Sequence, residues 1–163
     1  MAPLCSVGEL RRSPGYRYKA ERIHEFVDSA LVIARVLAVA PHTLRWSRTA
    51  DADTSVRVVP AVAFRVVETL RGSIPGGRLV VPGSLVDRDD FNRGPVPYTM
   101  VRSSGQRGDC WAREYRLGAE YLLLLRPGWS GLTPYWIPLA PLNEQVNGAN
   151  DPWVQWVRAR LFR

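Results

Sequence analysis

The stretch Cys110–Leu125, CWAREYRLGAEYLLLL, decides the fold prediction because it joins a cysteine, a glycine corner and the most apolar run of the chain. Trp111 and Tyr115 fall on one face of a predicted strand. Gly118 supplies the turn, since glycine adopts the left-handed backbone that tight corners need. Tyr121–Leu125 then returns as a strand too apolar to face water, so we expect it in the core.

The preceding chain contains three further predicted strands. Ser29–Ala40, SALVIARVLAVA, is apolar on both alternating faces, which predicts a long strand buried on both sides, or one bent so that it changes neighbours. Val56–Leu70 alternates and predicts a half-exposed strand. Arg78–Val81 predicts a short one, and the polar segment Pro41–Ser55 predicts a loop.

Two helices are predicted, one near each end of the chain. Over Ala20–Ala30, apolar residues recur at the i, i+3, i+4 and i+7 spacing of a one-sided helix. Near the C-terminus, Asn150 or Asp151 is a capping residue and Pro152 suits the first helical position, so a helix should run to the end.

The fold class predicted is mainly β. Five or six short strands separated by glycine and proline turns favour a sandwich or small barrel; these include Tyr135–Leu139, broken by Pro138, before a polar Pro141–Ala149. The 163 residues fit one domain. We divide it into an N-terminal arm (1–19), a barrel (20–149) and a C-terminal helix (150–163).

The net charge of +7 comes from 21 arginines and one lysine, against 15 acidic residues. A basic balance raises the expectation of an acidic partner such as nucleic acid or a sulfated sugar. The arginines fall singly, however, and the one adjacent pair is Arg11-Arg12. No basic stripe is therefore visible in the sequence.

The longest aperiodic stretch covers residues 84–109 and is a candidate contact surface, because long loops often carry function. The spacing of Asp87, Asp89 and Asp90 resembles that of a calcium-binding loop, but no glutamate is present at the twelfth position of such a loop. We interpret the stretch as a solvated loop. These three aspartates, with Arg113 and Arg116, form the candidate binding surface.

Catalytic and metal-binding patterns are weak, so we expect no enzyme activity, cofactor or metal. Only His24 and His42 could act as an imidazole base, and no local motif links either to Cys110 as a thiol nucleophile. Ser130, in GWSG, lacks the strand–elbow–helix setting of a hydrolase serine. The cysteines and histidines do not form the close pairs that are typical of structural zinc sites.

A second functional class is a cytosolic single-stranded nucleic-acid binder. Such modules stack bases on exposed aromatic side chains within a basic groove. Trp111 and Tyr115, flanked by Arg113 and Arg116, are the one plausible platform in the sequence. This hypothesis requires both rings to be exposed.

The two cysteines, Cys5 and Cys110, leave two possibilities open from their number alone: one disulfide or two buried thiols. A disulfide would pin the arm to the sheet and stabilise the fold by about 4–5 kcal/mol in the chain-entropy model. It would also imply an oxidising compartment.

The order of these parts resembles a known family. An N-terminal cysteine, DSALVIARV, AVAFRVVETLRG, a cysteine followed by a glycine corner and EYLLLL, and a final helix are similar to the netrin-like domain of the tissue inhibitors of metalloproteinases and their bacterial relatives. The resemblance covers roughly residues 25–145. It implies a five-stranded OB-type barrel, closed or partly open, flanked by helices. It also implies a disulfide between Cys5 and Cys110.

The resemblance further implies a binding function rather than catalysis: protease inhibition, or contact with matrix or glycosaminoglycan. The inhibitors begin with C-x-C, whose free α-amine and carbonyl bind the protease zinc. Here Met1–Leu4 precede Cys5 and Ser6-Val7 follow it, so inhibition is not carried over. We expect an extracytoplasmic protein or acidic polysaccharide as partner if the disulfide forms, although no signal peptide is visible, and a cytoplasmic location otherwise. No segment predicts a membrane-spanning helix.

Overall fold

Eight strands, three α-helices and one short 3-10 helix (Pro75–Gly77) are formed by the residues that the computed structural model describes, 17–50, 53–128 and 131–163. The strands are β1 (Val32–Ala50), β2 (Asp53–Arg71), β3 (Arg78–Pro82), β4 (Ser84–Val86), β5 (Glu114–Arg116), β6 (Glu120–Gly128), β7 (Gly131–Pro134) and β8 (Asn143–Val146). The α-helices are α1 (Ala20–Ser29), α2 (Ser103–Arg107) and α3 (Pro152–Leu161). The mainly β class with a short early helix and a C-terminal helix is confirmed.

The strands form one open six-stranded antiparallel sheet and a separate parallel pair. The order in the large sheet is β3-β2-β1-β6-β7, and β8 also pairs with β6. The small pair joins β4 to β5. The prediction of five strands is therefore wrong, and so is that of a closed barrel, because the sheet ends at β3 on one side and at β7 on the other.

The first part of β1, Val32–Ala38, and the segment Tyr121–Leu125 of β6 are buried on both faces, as the sequence predicts. Side chains at alternate positions of β1 separate into two clusters, with Ile33 on the helix side and Val32, Ala34 and Val36 on the opposite side. The five residues Tyr121–Leu125 of β6 are each no more than 1% exposed. Burying one such side chain contributes about 1.5–3 kcal/mol, so this strand pair supplies much of the core.

The two long helices cover the outer face of the sheet. Ile23, Phe26 and Val27 of α1 pack with Trp153 and Val157 of α3 in a single apolar cluster. The cap of α3 is the predicted one, since the Asp151 side chain accepts a hydrogen bond from the Trp153 N–H at 2.9 Å. Gly118 has φ +79°, which confirms the predicted glycine corner between β5 and β6.

The loop predicted at Pro41–Ser55 is instead mostly strand. β1 and β2 remain paired as far as Ala50 and Asp53, well beyond the part of β1 that pairs with β6 (Val32–Leu37). Both strands thus continue as a two-stranded ribbon past the rest of the sheet. In this ribbon the residues of β1 are paired with residues of β2. This backbone pairing stabilises the strands even though their polar composition suggested a loop.

Two further segments differ from their predicted structure. Tyr135–Leu139 is not a strand, and within it Trp136 and Leu139 have positive φ angles of 52° and 60°. The polar segment Pro141–Ala149 contains β8, whose four residues are all buried. Buried polar side chains are tolerated only when they are hydrogen-bonded, and those of β8 bond the loop between β4 and β5.

Candidate binding site

The loop between β4 and β5 is organised from within by one buried arginine. Arg102 is 0% exposed. Its Nη1 donates to Asp90 Oδ2 at 3.0 Å, its Nε to the Asn143 carbonyl at 3.0 Å, and its Nη2 to the Ala112 carbonyl at 2.6 Å. A guanidinium presents five N–H donors in a fixed plane, which lets one side chain join three segments of chain.

The guanidinium also lies over two tyrosine rings. Its central carbon is 5.3 Å from the Tyr115 ring centroid and 5.1 Å from that of Tyr121. Cations are attracted to the faces of aromatic rings, more strongly where water is excluded. We call Arg102 and the polar and aromatic groups around it the Arg102 hub; its other members are Asp90, Tyr115, Tyr121, Asn143 and Glu144.

Glu144 joins β8 to the hub through both carboxylate oxygens. Oε1 accepts from the backbone N–H of Arg102 at 3.1 Å, and Oε2 accepts from the Asn92 side-chain amide at 3.0 Å. The side chain is completely buried, and this burial raises the pKa of Glu144 to about 7, even though Arg102 favours the ionised form.

The pKa of Asp90, the second carboxylate of the hub, shifts in the opposite direction to that of Glu144. Burial favours its neutral form, but hydrogen bonds from Ser104 and the charge of Arg102 outweigh that effect, so the pKa of Asp90 is lowered. Asp90 is only 8% exposed. It therefore lies beneath the surface on which the sequence placed it.

The outer side of the same loop carries arginines of a different kind. Two neighbouring cavities, of about 390 and 210 Å³, share Arg93 and Ser103 in their linings. Arg17 lines the larger cavity and Arg107 the smaller one. These three arginines are exposed, and none forms an ion pair with any residue in the described part of the chain. We call Arg17, Arg93 and Arg107 the arginine surface.

The acidic residues that line these two cavities, Asp89 and Asp90, already have partners. Asp89 accepts from Arg116 Nη1 and from Gln145 Nε2, each at 2.7 Å, and these bonds lower the pKa of Asp89. Arg88 forms an ion pair with Glu114 at 2.6 Å. The unpaired charge in the described lining of the two cavities is therefore positive, which favours an anionic partner.

Of the five predicted binding residues, the structure brings Asp89 and Arg116 into contact. Asp87 is exposed. Arg116 is engaged with Asp89, whereas Arg113 lies elsewhere and pairs with Asp109. Sequence reasoning missed the arginine surface because single arginines look alike in a sequence. The available signal was that Arg93 and Arg107 lie within the aperiodic stretch 84–109, which the sequence already identified as a candidate contact surface.

Trp111 and Tyr115 do not form an open stacking platform. Tyr115 is 0% exposed, and its ring packs edge-on against Phe64 inside the sheet. Trp111 precedes β5 and is half-buried, with the Arg113 guanidinium 4.8 Å from its ring centroid. One of the two aromatic residues that nucleic-acid stacking would need is thus inside the core.

Trp111 contributes instead to a cleft of about 730 Å³. Its indole N–H donates to the Trp136 carbonyl at 2.8 Å, which holds the two segments together. The main apolar lining consists of Val59, Pro60, Pro82, Trp111 and Trp136. The volume lies within the range of about 300–1,000 Å³ that is usual for ligand sites.

The backbone behind the two tryptophans is strained. Ala112, Trp136 and Leu139 are the non-glycine residues with positive φ in the described ranges, and all three belong to the two segments that form this wall. The Leu139 N–H bonds the Cys110 carbonyl at 2.7 Å and joins those segments. Such conformations cost about 1–3 kcal/mol each and concentrate at functional sites.

The residues proposed for thiol catalysis are not arranged for it. Cys110 is 0% exposed and packs with Val101, Ala112 and Leu139. The His24 ring lies 5.1 Å from the Trp156 ring, centroid to centroid, at an interplanar angle of 41°, and His24 Nδ1 is buried without a hydrogen bond to a described group. His42 is exposed, with Nδ1 2.7 Å from the carbonyl oxygen of Thr43. Ser130 and Cys5 lie outside the described residues, so the Cys5–Cys110 disulfide stays a prediction.

No family model and no curated protein matches this chain. The likeness to netrin-like domains therefore rests on the residues quoted above. In residues 17–50, 53–128 and 131–163 there is no group of three or more histidine, cysteine, aspartate or glutamate side chains suited to a metal ion. No helix within these ranges has the length and apolar character to cross a bilayer.

Proposed function

We propose that this protein is a non-catalytic binding module of the netrin-like, OB type, and that it binds an acidic, extracytoplasmic polysaccharide through the arginine surface. The observation that carries the proposal is that Arg17, Arg93 and Arg107 line two adjoining cavities without ion-pair partners among the described residues. Arginine is well suited to sulfate and carboxylate groups, because its planar fork donates two parallel hydrogen bonds.

Several features support the OB-type part of the proposal. β1, β2 and β3 form a continuous antiparallel meander, and β1 changes from pairing with two neighbours to pairing with one after a series of register shifts. An OB fold is a partly open Greek-key barrel with bent strands of this kind. The parallel β4–β5 pair lies where the chain leaves the meander.

The preference for a polysaccharide over single-stranded nucleic acid comes from the aromatic residues. Phe91, 40% exposed, is the one aromatic residue among the described linings of the two cavities. Proteins that bind single strands use several rings, one for each successive base. A polysaccharide decorated with sulfates or carboxylates needs the cations and does not need the rings.

The test uses a heparin hexasaccharide as the probe and calorimetric titration at 50 to 200 mM NaCl. A variant with Arg17→Ser, Arg93→Ser and Arg107→Ser should bind at least about tenfold more weakly than the parent, since three charge-assisted contacts are lost. The matched control is Arg45→Ser, Arg57→Ser and Arg65→Ser, three exposed arginines elsewhere with the same total charge. The control should bind as the parent does.

Equal weakening in both triple variants would show that binding follows net charge alone and would contradict the proposal. A single-stranded DNA of twenty nucleotides forms the second arm. If the DNA binds more tightly than the hexasaccharide at 150 mM salt, the nucleic-acid alternative is correct. Salt dependence alone does not separate the two ligands, because both release counterions.

The compartment is tested separately through the cysteines. We expect the unfolded, unreduced protein to show no reactive thiol, because Cys5 and Cys110 are paired. After reduction it should show two. Two reactive thiols before reduction would show that the disulfide is absent. The argument for an oxidising compartment would then fail.

A further inference from the structure

We propose that the cleft between Trp111 and Trp136 is a second binding site, one that takes an uncharged, proline-containing peptide segment in the extended polyproline II conformation. This site is independent of the arginine surface. The inference starts from the charge balance of the cleft. Its charged lining residues are Asp109, Arg113 and Glu114 among those described, and each has a partner of opposite sign.

Arg113 is joined to Asp109 by several contacts. Asp109 Oδ2 accepts from the Arg113 backbone N–H at 2.8 Å, and the guanidinium meets both carboxylate oxygens of Asp109 at 3.3 Å. Glu114 is paired with Arg88. A charged ligand would have to compete with these pairs, whereas a neutral one leaves them intact. The cleft therefore complements an uncharged occupant.

The apolar walls define the shape of that occupant. Two indoles stand near two prolines, Pro60 and Pro82, with Val59 beside them. Aromatic-lined grooves of this kind recognise polyproline II segments, which lose little conformational entropy on binding because the helix is already formed in solution.

The hydrogen-bonding groups of the cleft distinguish a peptide from a sugar. The Trp111 indole N–H is occupied by the Trp136 carbonyl. Among the described lining residues, the Ser84 hydroxyl and the Trp136 indole N–H are side-chain donors with no hydrogen bond to another described group. A sugar ring would bring several hydroxyls that lose water without finding a partner. A proline residue brings a carbonyl acceptor and no N–H donor, so a proline-rich segment carries more acceptors than donors, which suits two available donors.

The wall is also held in place before any ligand arrives. Ala112, Trp136 and Leu139 keep positive φ angles, and the Trp111–Trp136 and Leu139–Cys110 hydrogen bonds fix the segments that carry them. A preorganised site spends less free energy on ordering itself when it binds. The strained backbone thus serves to present the two indoles.

The experiment titrates the protein with a fluorescein-labelled peptide of sequence APPAPPAPPA and measures fluorescence polarisation. The comparison peptide replaces every proline by alanine. We expect saturable binding of the proline peptide and at least about tenfold weaker binding of the alanine peptide. Trp136→Ala should weaken binding by about 30-fold, the loss typical of a central aromatic contact. Trp156→Phe, on α3, is the matched control and should bind as the parent does.

A second measurement does not depend on the variant folding. In the parent protein, the indole N–H resonance of Trp136 should shift on addition of peptide while that of Trp153, buried in the core, stays unchanged. Absence of saturable binding up to millimolar peptide, equal binding of the two peptides, or a shift confined to other indoles would each overturn the proposal. So would tighter binding of a neutral oligosaccharide such as maltohexaose at the same indoles. The Arg17, Arg93 and Arg107 triple variant should bind the peptide normally, so failure of one site leaves the other testable.

Discussion

The two sides of the loop between β4 and β5 use the same residue type in opposite ways. On the inner side, Arg102 is completely buried and all three guanidinium nitrogens have hydrogen-bond acceptors. On the outer side, Arg93 and Arg107 are exposed and have no ion pair within the described ranges. The difference teaches that an arginine in this loop is structural when its acceptors belong to the protein, and is available for binding when they do not.

The largest expected effect comes from removing the inner arginine. Arg102→Met should lower the free energy of unfolding by about 3–5 kcal/mol, because it leaves the buried Asp90 carboxylate without its charged partner. Urea unfolding measures the change. Arg107→Met, on the outer side of the same loop, is the matched control and should cause a much smaller loss. Comparable losses in the two variants would mean that the inner and outer sides do not differ in the way described.

The Arg102 hub also marks the limit of what the sequence could predict. Local patterns were sufficient for α1, for the cap of α3, for Gly118 and for the buried strand Tyr121–Leu125, because periodicity and capping act over a few residues. They were insufficient for β8, where Asn143, Glu144 and Gln145 are polar yet no more than 3% exposed. Their burial depends on acceptors and donors 28 to 56 residues away in the chain, which no local pattern reveals.

The same limit applies to the candidate sites. In the sequence, Trp111 and Tyr115 were placed on the same face of one strand. The fold buries the Tyr115 ring and places the Trp111 ring at a cleft. Trp136 was predicted to lie in a strand, and its position in the cleft follows from a backbone conformation that composition does not signal. The arginine surface could be anticipated only as far as its loop, because the choice between free and paired arginines is made by tertiary contacts.

The second-largest effect is a pH dependence that arises inside the hub. Because the pKa of Glu144 is raised to about 7 in the folded protein, the folded state holds a proton that the unfolded state releases near pH 4.5. Stability should therefore fall as the pH rises from about 4.5 through 7, by about 3 kcal/mol at most. Glu144→Gln, which resembles the protonated side chain, should remove this loss.

The free energies of unfolding of the parent protein and of Glu144→Gln are to be compared at pH 4.5, 5.5, 6.5 and 7.5. Glu120→Gln is a suitable control, because Glu120 lies on β6 next to β8 and is only partly buried. It should keep the parent's decline between pH 4.5 and 7.5. A parent protein whose stability is constant over this range would show that Glu144 is ionised in the folded state without penalty.

A smaller effect of opposite sign is expected from Asp90. Its lowered pKa means that the folded state stays ionised at a pH where the unfolded state has taken up a proton. This contribution is complete above the unfolded pKa and is lost as the pH falls through the folded value. Asp90→Asn should cost about 1.5–3 kcal/mol at pH 7, the value of hydrogen bonds to a charged group, and should flatten the decline below pH 4.

Urea unfolding between pH 2.5 and 5 tests this expectation, with Asp89→Asn as the control. Asp89 is the neighbouring residue, but it is exposed and bonds Arg116 and Gln145 at the surface, so its loss should matter less. If the two variants were equally stable at pH 7, burial would not be the reason that Asp90 is structural.

The smallest effect concerns a buried carboxylate whose partners are local. Asp151 is 8% exposed, like Asp90, but it accepts from the N–H groups of Asn147 and Trp153, within four residues on either side. Asp151→Ala should cost only about 1 kcal/mol, because the change removes a helix cap and strands no buried charge. Asp151→Ser, which retains a capping oxygen, should recover most of that loss in thermal or urea unfolding. A loss as large as that of Arg102→Met would mean that burial alone, and not the long-range pairing of charges, sets the cost of removing a polar residue from this protein.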